Sequence, residues 1–231
     1  MEVIFLLAIL IFSIVIHEVA HGSAAEAQGD PTAKYAGRLT LNPIKHLDFV
    51  GSFLVPLLCV IFPTRLIFGW AKPVPINPYN FKDQKYGSLK VAVAGPGANF
   101  LVAAFFGVAG RMLPLDPASR SFAFNSFFKF LTEIKIPEGL GETGFWGMVL
   151  FLFLIIIFIN ILLAIFNLIP IPPLDGSHIL SAIVPGTERK FKELQMKMGI
   201  LILPLVFLVI YLFLPVIFGI VIRVFILIAG A

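Results

Sequence analysis

The chain has 231 residues, of which 59% are hydrophobic and 13% are charged, and its formal net charge is +4. Soluble globular proteins carry about a quarter charged residues, so this composition excludes an ordinary soluble domain. The apolar residues come in long blocks, such as 149–163 and 200–209, and not at the period of a one-sided helix or strand. The sequence therefore predicts an all-α polytopic membrane protein.

The basic residues and the single cysteine exclude further classes. Lysine and arginine lie in short loops beside the apolar blocks, where such residues orient a membrane protein and contact anionic headgroups. The positive charge therefore predicts a lipid bilayer as partner and no nucleic acid. Cys59 is the only cysteine, which excludes an internal disulfide and a metal site that needs several thiolates.

Four apolar segments are long enough to span a bilayer, which takes about 20 residues per helix. They cover approximately residues 3–24, 89–108, 145–169 and 198–222, and we predict one membrane-embedded domain over 1–231. The first segment resembles a cleavable signal peptide in hydrophobicity, but it has no basic N-terminal region and continues directly into His17. We therefore expect it to be retained as a transmembrane helix.

Other segments between the spans are less regular. Residues 49–70 are apolar but interrupted by glycine, proline and arginine, so this composition favours a re-entrant loop or helical hairpin no more than a full span. Residues 121–131 are short and carry a lysine, so we predict an interfacial helix. Residues 39–41 are a candidate for a short strand, or one arm of a β-hairpin, with an edge that could capture a peptide by strand addition. Residues 185–197 are rich in charge and predict a short surface helix.

The strongest chemical signal is His17-Glu18-Val19-Ala20-His21 at the end of the first span. Residues four apart lie on one face of a helix, so both imidazoles can reach one metal ion. Glu18 is then free to take a proton from the attacking water, as metal-assisted hydrolysis requires. The alternative is a cluster merely solvated among headgroups. Ionisable groups within a span are costly and usually functional, so we favour a metal site.

A third ligand must come from elsewhere, because catalytic zinc sites in proteins usually have three protein ligands. Asp175 is the best candidate, since it follows a helix that Pro170, Pro172 and Pro173 must break. Such an unwound segment is tolerated in a membrane only where it lines a cavity or packs on protein. Taken alone, an ordinary interfacial turn with a solvated aspartate would be the simpler interpretation. Beside an incomplete two-histidine site, ligation is favoured.

In combination these motifs resemble the site-2 protease family. The resemblance covers most of the chain up to about residue 182, and two loop segments resemble the compact prokaryotic branch of the family, without a PDZ or other appended regulatory domain. The motifs that carry it are His17-Glu18-Val19-Ala20-His21, Ala94-Gly95-Pro96-Gly97-Ala98-Asn99, the run Asn167 to Gly176 with Leu174-Asp175-Gly176, Gly37-Arg38-Leu39-Thr40-Leu41-Asn42-Pro43 and Phe68-Gly69-Trp70-Ala71-Lys72-Pro73-Val74-Pro75.

The resemblance implies an intramembrane zinc metalloprotease that cuts transmembrane segments of other membrane proteins, in a multi-pass plasma-membrane location with the site toward the cytoplasm. It assigns His17, His21 and Asp175 to one zinc ion per chain and Glu18 to the general base. It also implies that Asn167 helps to bind the substrate backbone, which suits an amide that both donates and accepts.

Two other functions use parts of the same pattern. A membrane zinc hydrolase acting on lipid or on prenylated peptide would share the first motif, but it does not need an unwound, aspartate-bearing helix. A metal transporter or a chaperone-like binder would not need Glu18 beside the water. Among the remaining residues, we expect Gly95 and Asn99 to pack between helices. We expect His178 to lie near the site or at the interface, and His46 to be solvated.

The position of the motifs also constrains topology. His17 and Asp175 both lie at the C-terminal ends of their spans, so these spans must run in the same direction to share a metal. An odd number of crossings must then lie between them, and the span at 89–108 supplies one. We therefore predict that residues 49–70 do not cross the membrane, unless residues 121–131 cross as well.

Overall fold

The computed structural model of the chain describes residues 2–48, 72–184, 186–198 and 202–230. The regular secondary structure of these residues is entirely helical. Short 3-10 turns at Pro43–His46, Pro78–Asn80 and Leu140–Thr143 lie in the connections. The α-helices are α1 Glu2–Ala27, α2 Thr32–Tyr35, α3 Gly87–Arg111, α4 Pro117–Glu133, α5 Gly144–Asn167, α6 Asp175–Ile183, α7 Thr187–Met198 and α8 Ile202–Ala229.

The predicted membrane spans are confirmed in number and order. Within the described residues, α1, α3, α5 and α8 are the four helices long and apolar enough to cross a bilayer. The last of them ends at Ala229, beyond the predicted end near residue 222. The charged segment after residue 185 forms α7, as predicted. The prediction that residues 49–70 do not cross concerns a segment outside the described residues.

Contacts at the two ends of the bundle fix the direction of each span. His21, in the C-terminal half of α1, bonds to the carbonyl of Val91 near the start of α3, so these helices are antiparallel. Arg111, at the end of α3, donates to carbonyls in the last turn of α8, so α3 and α8 run in the same direction. Asp175 directly follows α5 and reaches His17, so α5 is parallel to α1.

The core lies around α5, which packs against α1, α3, α4 and α8. Its side chains are apolar on nearly every face, as expected for a helix enclosed by others in a membrane. The shorter α4 buries Phe124, Phe127 and Phe130, which recur at helical spacing. Phe127 stacks on Phe225 of α8 with ring centroids 4.7 Å apart. The segment predicted as an interfacial helix is therefore helical and also packs into the bundle.

The short strand predicted at residues 39–41 is wrong, because these residues form bends. The Asn42 side chain accepts from the Ile44 N–H and starts a 3-10 turn. The imidazole of His46 bonds to the Thr40 carbonyl, and Arg38 donates to the Lys45 carbonyl. These side chains occupy backbone groups that a strand would offer to a neighbour, so the described segment presents no strand edge for peptide capture.

Two loop segments are joined at the C-terminal end of α1. The Lys82 N–H donates to the Gln28 carbonyl over 2.7 Å, and the Lys72 N–H donates to the His46 carbonyl over 2.9 Å. Residues 28–48 and 72–82 therefore lie together at the end of the bundle that carries His21. Both described flanks of residues 49–71 belong to this same end.

Candidate metal centre

Helix α1 presents His17 and His21 as a buried pair. The two side chains are one helical turn apart, and their Nε2 atoms lie 3.0 Å from each other. Both histidines lie in an apolar membrane span, and both are buried inside the protein. The predicted i, i+4 arrangement on one helix face is therefore confirmed.

Asp175 completes the cluster from the segment that follows α5. Its Oδ2 lies 3.1 Å from His17 Nε2 and 3.2 Å from His21 Nε2. The close approach depends on Gly176, because a Cβ there would lie 2.2 Å from the Leu168 carbonyl oxygen. The end of α5 can thus fold back against the start of α6 and aim the carboxylate at α1. His17, His21 and Asp175 form a potential metal-binding group in the described part of the chain.

Hydrogen bonds fix which nitrogen of each imidazole carries a proton. His21 Nδ1 lies 2.7 Å from the Val91 carbonyl oxygen, which can only accept, so Nδ1 is the donor. His17 Nδ1 lies 2.7 Å from Asn99 Oδ1. The Asn99 amide nitrogen donates to the Ser13 carbonyl over 3.2 Å, which fixes the orientation of this amide and makes His17 Nδ1 the donor as well. Both Nε2 atoms therefore point toward the cluster with a lone pair.

The Asn99 amide is itself held by a network that crosses three spans. Its Nδ2 also donates to Asn160 Oδ1 over 2.8 Å, and Asn160 Nδ2 donates to Ser13 Oγ over 3.0 Å. The Ser13 hydroxyl donates to the Ile9 carbonyl within α1. Asn99 and Asn160 are fully buried, so this network orients His17 in surroundings without competing water.

The donor set fits a divalent cation, zinc in particular. Two imidazole lone pairs and a carboxylate oxygen converge, which is electrostatically unfavourable unless a cation or proton lies among them. Ligand atoms around tetrahedral zinc, with bonds of about 2.0–2.1 Å, lie about 3.3 Å apart. The three observed separations, 3.0, 3.1 and 3.2 Å, are close to that value. The N–H contacts of both rings are the kind that orient histidine ligands in metalloproteins.

Gly95 of α3 makes room for the cluster. A Cβ at this position would lie 2.3 Å from His21 Nε2 and 2.7 Å from His17 Nε2. The small residue expected only to bring helices together therefore also leaves the ligand atoms accessible. A Cβ added at Gly97, two residues later, would have no neighbouring atom within 4 Å.

Gly95→Ala is expected to displace the imidazoles and lower zinc affinity by at least about tenfold to a hundredfold, the range seen when ligand orientation is disturbed. Zinc content after detergent purification, and after competition with a chelator, measures the effect. Gly97→Ala is the matched control and should retain zinc as the wild-type protein does. Equal zinc affinity in both variants would contradict the placement of Gly95 over the ligands.

Glu18 is half-buried and stands beside this group without belonging to it. Its Oε2 accepts a hydrogen bond of 2.8 Å from the Val74 N–H. Asn167, at the end of α5, donates from Nδ2 to the Leu163 carbonyl over 2.9 Å. His178 is exposed on α6 and lies outside the metal-binding group.

Sequence reasoning was incomplete for several polar residues. His46, expected to be solvated, is 1% exposed. Asn99, expected to pack between helices, also contacts a ligand. Ser13 and Asn160 were missed, although each is a polar residue in an apolar run. That property is the signal that would have found them, because polar groups inside a membrane helix need partners.

Comparisons with known proteins agree with this geometry. A model of "Peptidase family M50" matches residues 5–211. The chain belongs to peptidase family M50. It is 36% identical over 192 residues to the "Putative zinc metalloprotease YwhC" of Bacillus subtilis, which covers 83% of this chain and 74% of that protein. Among solved structures, none matches the chain.

The chain is also similar to the "Putative zinc metalloprotease Rip2" of Mycolicibacterium smegmatis. It is 26% identical over 180 residues, which are 78% of this chain and 57% of that protein. The resemblance to the site-2 protease family is thus confirmed, and the chain is a zinc metalloprotease with several membrane helices. M50 membership decides against a metal transporter or a chaperone-like binder.

Proposed function

We propose that this M50 protease hydrolyses peptide bonds within or near transmembrane segments of other membrane proteins. The observation that supports it is the position of the histidine and aspartate cluster, which is buried where α1, α3 and the end of α5 meet. A protease with its ligands in a spanning helix and directly after another is suited to substrates that reach it through the bilayer. One zinc ion per chain would be held by His17, His21 and Asp175.

The chain's own residues account for the main steps of hydrolysis. Zinc, when bound, supplies a Lewis acid that lowers the pKa of the attacking water and polarises the scissile carbonyl. Glu18, one residue beyond His17, takes the proton from that water and passes it to the leaving amine. The hydrogen bonds from the imidazoles to Asn99 and Val91 keep both rings in the geometry that ligation needs. The catalytic group is thus arranged before substrate arrives.

Asn167 is the proposed contact to the substrate backbone. One of its amide hydrogens is used on the Leu163 carbonyl, and the remaining amide hydrogen and the carbonyl oxygen are suited to a peptide group. Its position at the end of α5, eight residues before Asp175, places it on the segment that leads to the metal ligand. A helical substrate must unwind before its backbone can make such contacts, because its own carbonyls are otherwise bonded within the helix.

A pair of synthetic transmembrane peptides tests the proposed function. Both have a lysine-flanked polyleucine span of about 20 residues, and only one carries Asn-Pro-Gly at its centre. We expect the zinc-loaded protein in detergent micelles to cut the peptide with the helix-breaking centre at least about tenfold faster, because proline and glycine disfavour the helix. Mass spectrometry locates the cut. Failure to cut this peptide would overturn the proposal.

We further propose that the metal centre faces the cytoplasm in the plasma membrane. Lysines concentrate in the joined loop segments at its end of the bundle, and cytoplasmic loops are enriched in such residues. Single cysteines at positions 45, 82 and 138, in a Cys59→Ser background, report the orientation through an impermeant thiol reagent on intact cells. Only position 138 should react. Labelling at 45 and 82, with none at 138, would contradict this orientation.

A further inference from the structure

Helix α1 has a second functional face beside the one that bears the histidines. Glu18 and Gly22 are four residues apart, so they share this face. Residues 72–77, here named the strap, lie against it. The Val74 N–H donates to Glu18 Oε2 over 2.8 Å. A Cβ at Gly22 would lie 3.0 Å from Val74 Cγ1, so the glycine permits this close approach.

The sequence of the strap leaves one donor at its centre. Pro73 and Pro75 have no N–H, so the Val74 N–H is the single backbone donor between these two residues, and it is used on Glu18. A residue that precedes proline favours an extended conformation, and Lys72 and Val74 each precede a proline. Val74 is buried against α1, whereas its two proline neighbours are exposed.

Arg38 holds the first half of the strap. Its side chain is 7% exposed, and its Nη2 donates to the carbonyls of Lys72 and Pro73. The Lys72 N–H donates to the His46 carbonyl over 2.9 Å. Because Arg38 also donates to the Lys45 carbonyl, one guanidinium joins two loop segments beside the base.

Asp30 holds the other end of the strap. Its Oδ2 accepts from the Asn77 N–H over 2.7 Å, and its Oδ1 accepts from the Asn80 amide over 2.8 Å and from Thr32. The residue is fully buried. Desolvation acts to raise the pKa of Asp30, but the hydrogen bonds from Asn77, Thr32 and Asn80 together hold that pKa below its ordinary value. The carboxylate is thus charged and accepts hydrogen bonds only.

We propose that the strap positions the catalytic base, with the Val74 N–H holding one oxygen of Glu18 and with Arg38 and Asp30 as positioning residues at either end. This inference rests on the proposed function, in which Glu18 is the base. A glutamate has three side-chain torsions, and fixing Oε2 restricts them. Oε1 is then left to take the proton of the attacking water. Such prior orientation raises the rate of the chemical step without altering affinity for the metal.

Val74→Pro removes the donor and places a ring carbon where the N–H pointed at Glu18 Oε2, so this carboxylate oxygen can no longer be held there. We expect kcat for the Asn-Pro-Gly peptide to fall by about tenfold to a hundredfold, as for loss of a hydrogen bond to a charged group. KM and zinc content should stay at the wild-type values. Val74→Ala loses more of the side chain but keeps the N–H, so it should retain the larger part of wild-type kcat.

Arg38→Lys provides a second variant, since it retains the charge but cannot join the two loop segments in the same way. By itself this variant should lower kcat and leave KM and zinc content unchanged. In the Val74→Pro background it should lower kcat little further, because both changes remove the same restraint on Glu18. Additive losses in the double variant, equal losses in Val74→Pro and Val74→Ala, or a parallel fall in zinc content would each overturn the proposal.

Amide hydrogen exchange tests the hydrogen bond without catalysis. The Val74 amide should exchange at least about tenfold faster in Glu18→Ala than in the wild-type protein, because its acceptor has been removed. Equal exchange rates in the two proteins would overturn the inference. This test does not use Val74→Pro, so it still decides the matter if that variant does not fold. Failure of the wild-type protein to cut the peptide would overturn the proposed function, whereas retained turnover in Glu18→Gln would overturn the role of Glu18 as base and this inference with it. An inactive Glu18→Gln with full kcat in Val74→Pro would overturn the strap alone.

Discussion

Glu18→Gln is expected to lower the rate of peptide cleavage by at least about a hundredfold to ten-thousandfold, the usual contribution of a general base. Zinc content should remain near that of the wild-type protein, because Glu18 lies outside the ligand group. The glutamine carbonyl can still accept the Val74 N–H, so the strap should stay in place. Turnover of the Asn-Pro-Gly peptide and elemental analysis of zinc measure the two effects.

Glu26→Gln is a matched control for this prediction. Glu26 lies on the same helix and forms a surface ion pair with Lys34, whose Nζ is 2.7 Å from Glu26 Oε1. Exposed pairs of this kind contribute little to stability, so this variant should cut the peptide at close to the wild-type rate. Comparable turnover in Glu18→Gln and Glu26→Gln would show that another group removes the proton.

Asp175→Ala is expected to lower both zinc occupancy and activity. Two imidazoles would remain, and a two-histidine site does not hold zinc tightly in competition with a chelator. We expect zinc affinity to fall by more than the roughly tenfold to hundredfold typical of changes behind the ligands. Asp175→Glu keeps a carboxylate but shifts it, so it should retain more zinc than the alanine variant while cleavage remains low. Elemental analysis after chelator competition separates these outcomes.

Asp83→Ala is the corresponding control, because Asp83 pairs with Lys90 at the surface and lies outside the ligand group. It should keep full zinc and full activity. Stoichiometric zinc in Asp175→Ala would mean that a different side chain supplies the third ligand. His178 would then have to move from its exposed position on α6.

The spans and the metal ligands could be predicted from the sequence because each has a local signature. A run of apolar residues as long as a bilayer is thick has few structural solutions, and α1, α3, α5 and α8 followed from that rule. The spacing of His17 and His21 defines a helix face by itself. Asp175 was predictable because prolines must end the preceding helix and leave a polar residue at depth.

The remainder could not be predicted because it depends on partners far apart in the chain. His17 and Asn99 are separated by 82 positions, and Glu18 and Val74 by 56. No local pattern states that an N–H between two prolines will meet a carboxylate on α1. The strand expected at residues 39–41 failed for a different reason, because Arg38 and His46 bond to carbonyls of their own loop, within seven positions along the chain.

The network of Ser13, Asn99 and Asn160 has a consequence for how the protein is made. Chains are synthesised at about 5–20 residues per second, so the partner of His17 on α3 emerges about 4–16 s after it. Asn160, 147 positions after Ser13, follows later still. During that delay α1 holds its imidazoles and its carboxylate without their native partners. The site can therefore assemble only after α5 and the Asp175 that follows it have been synthesised.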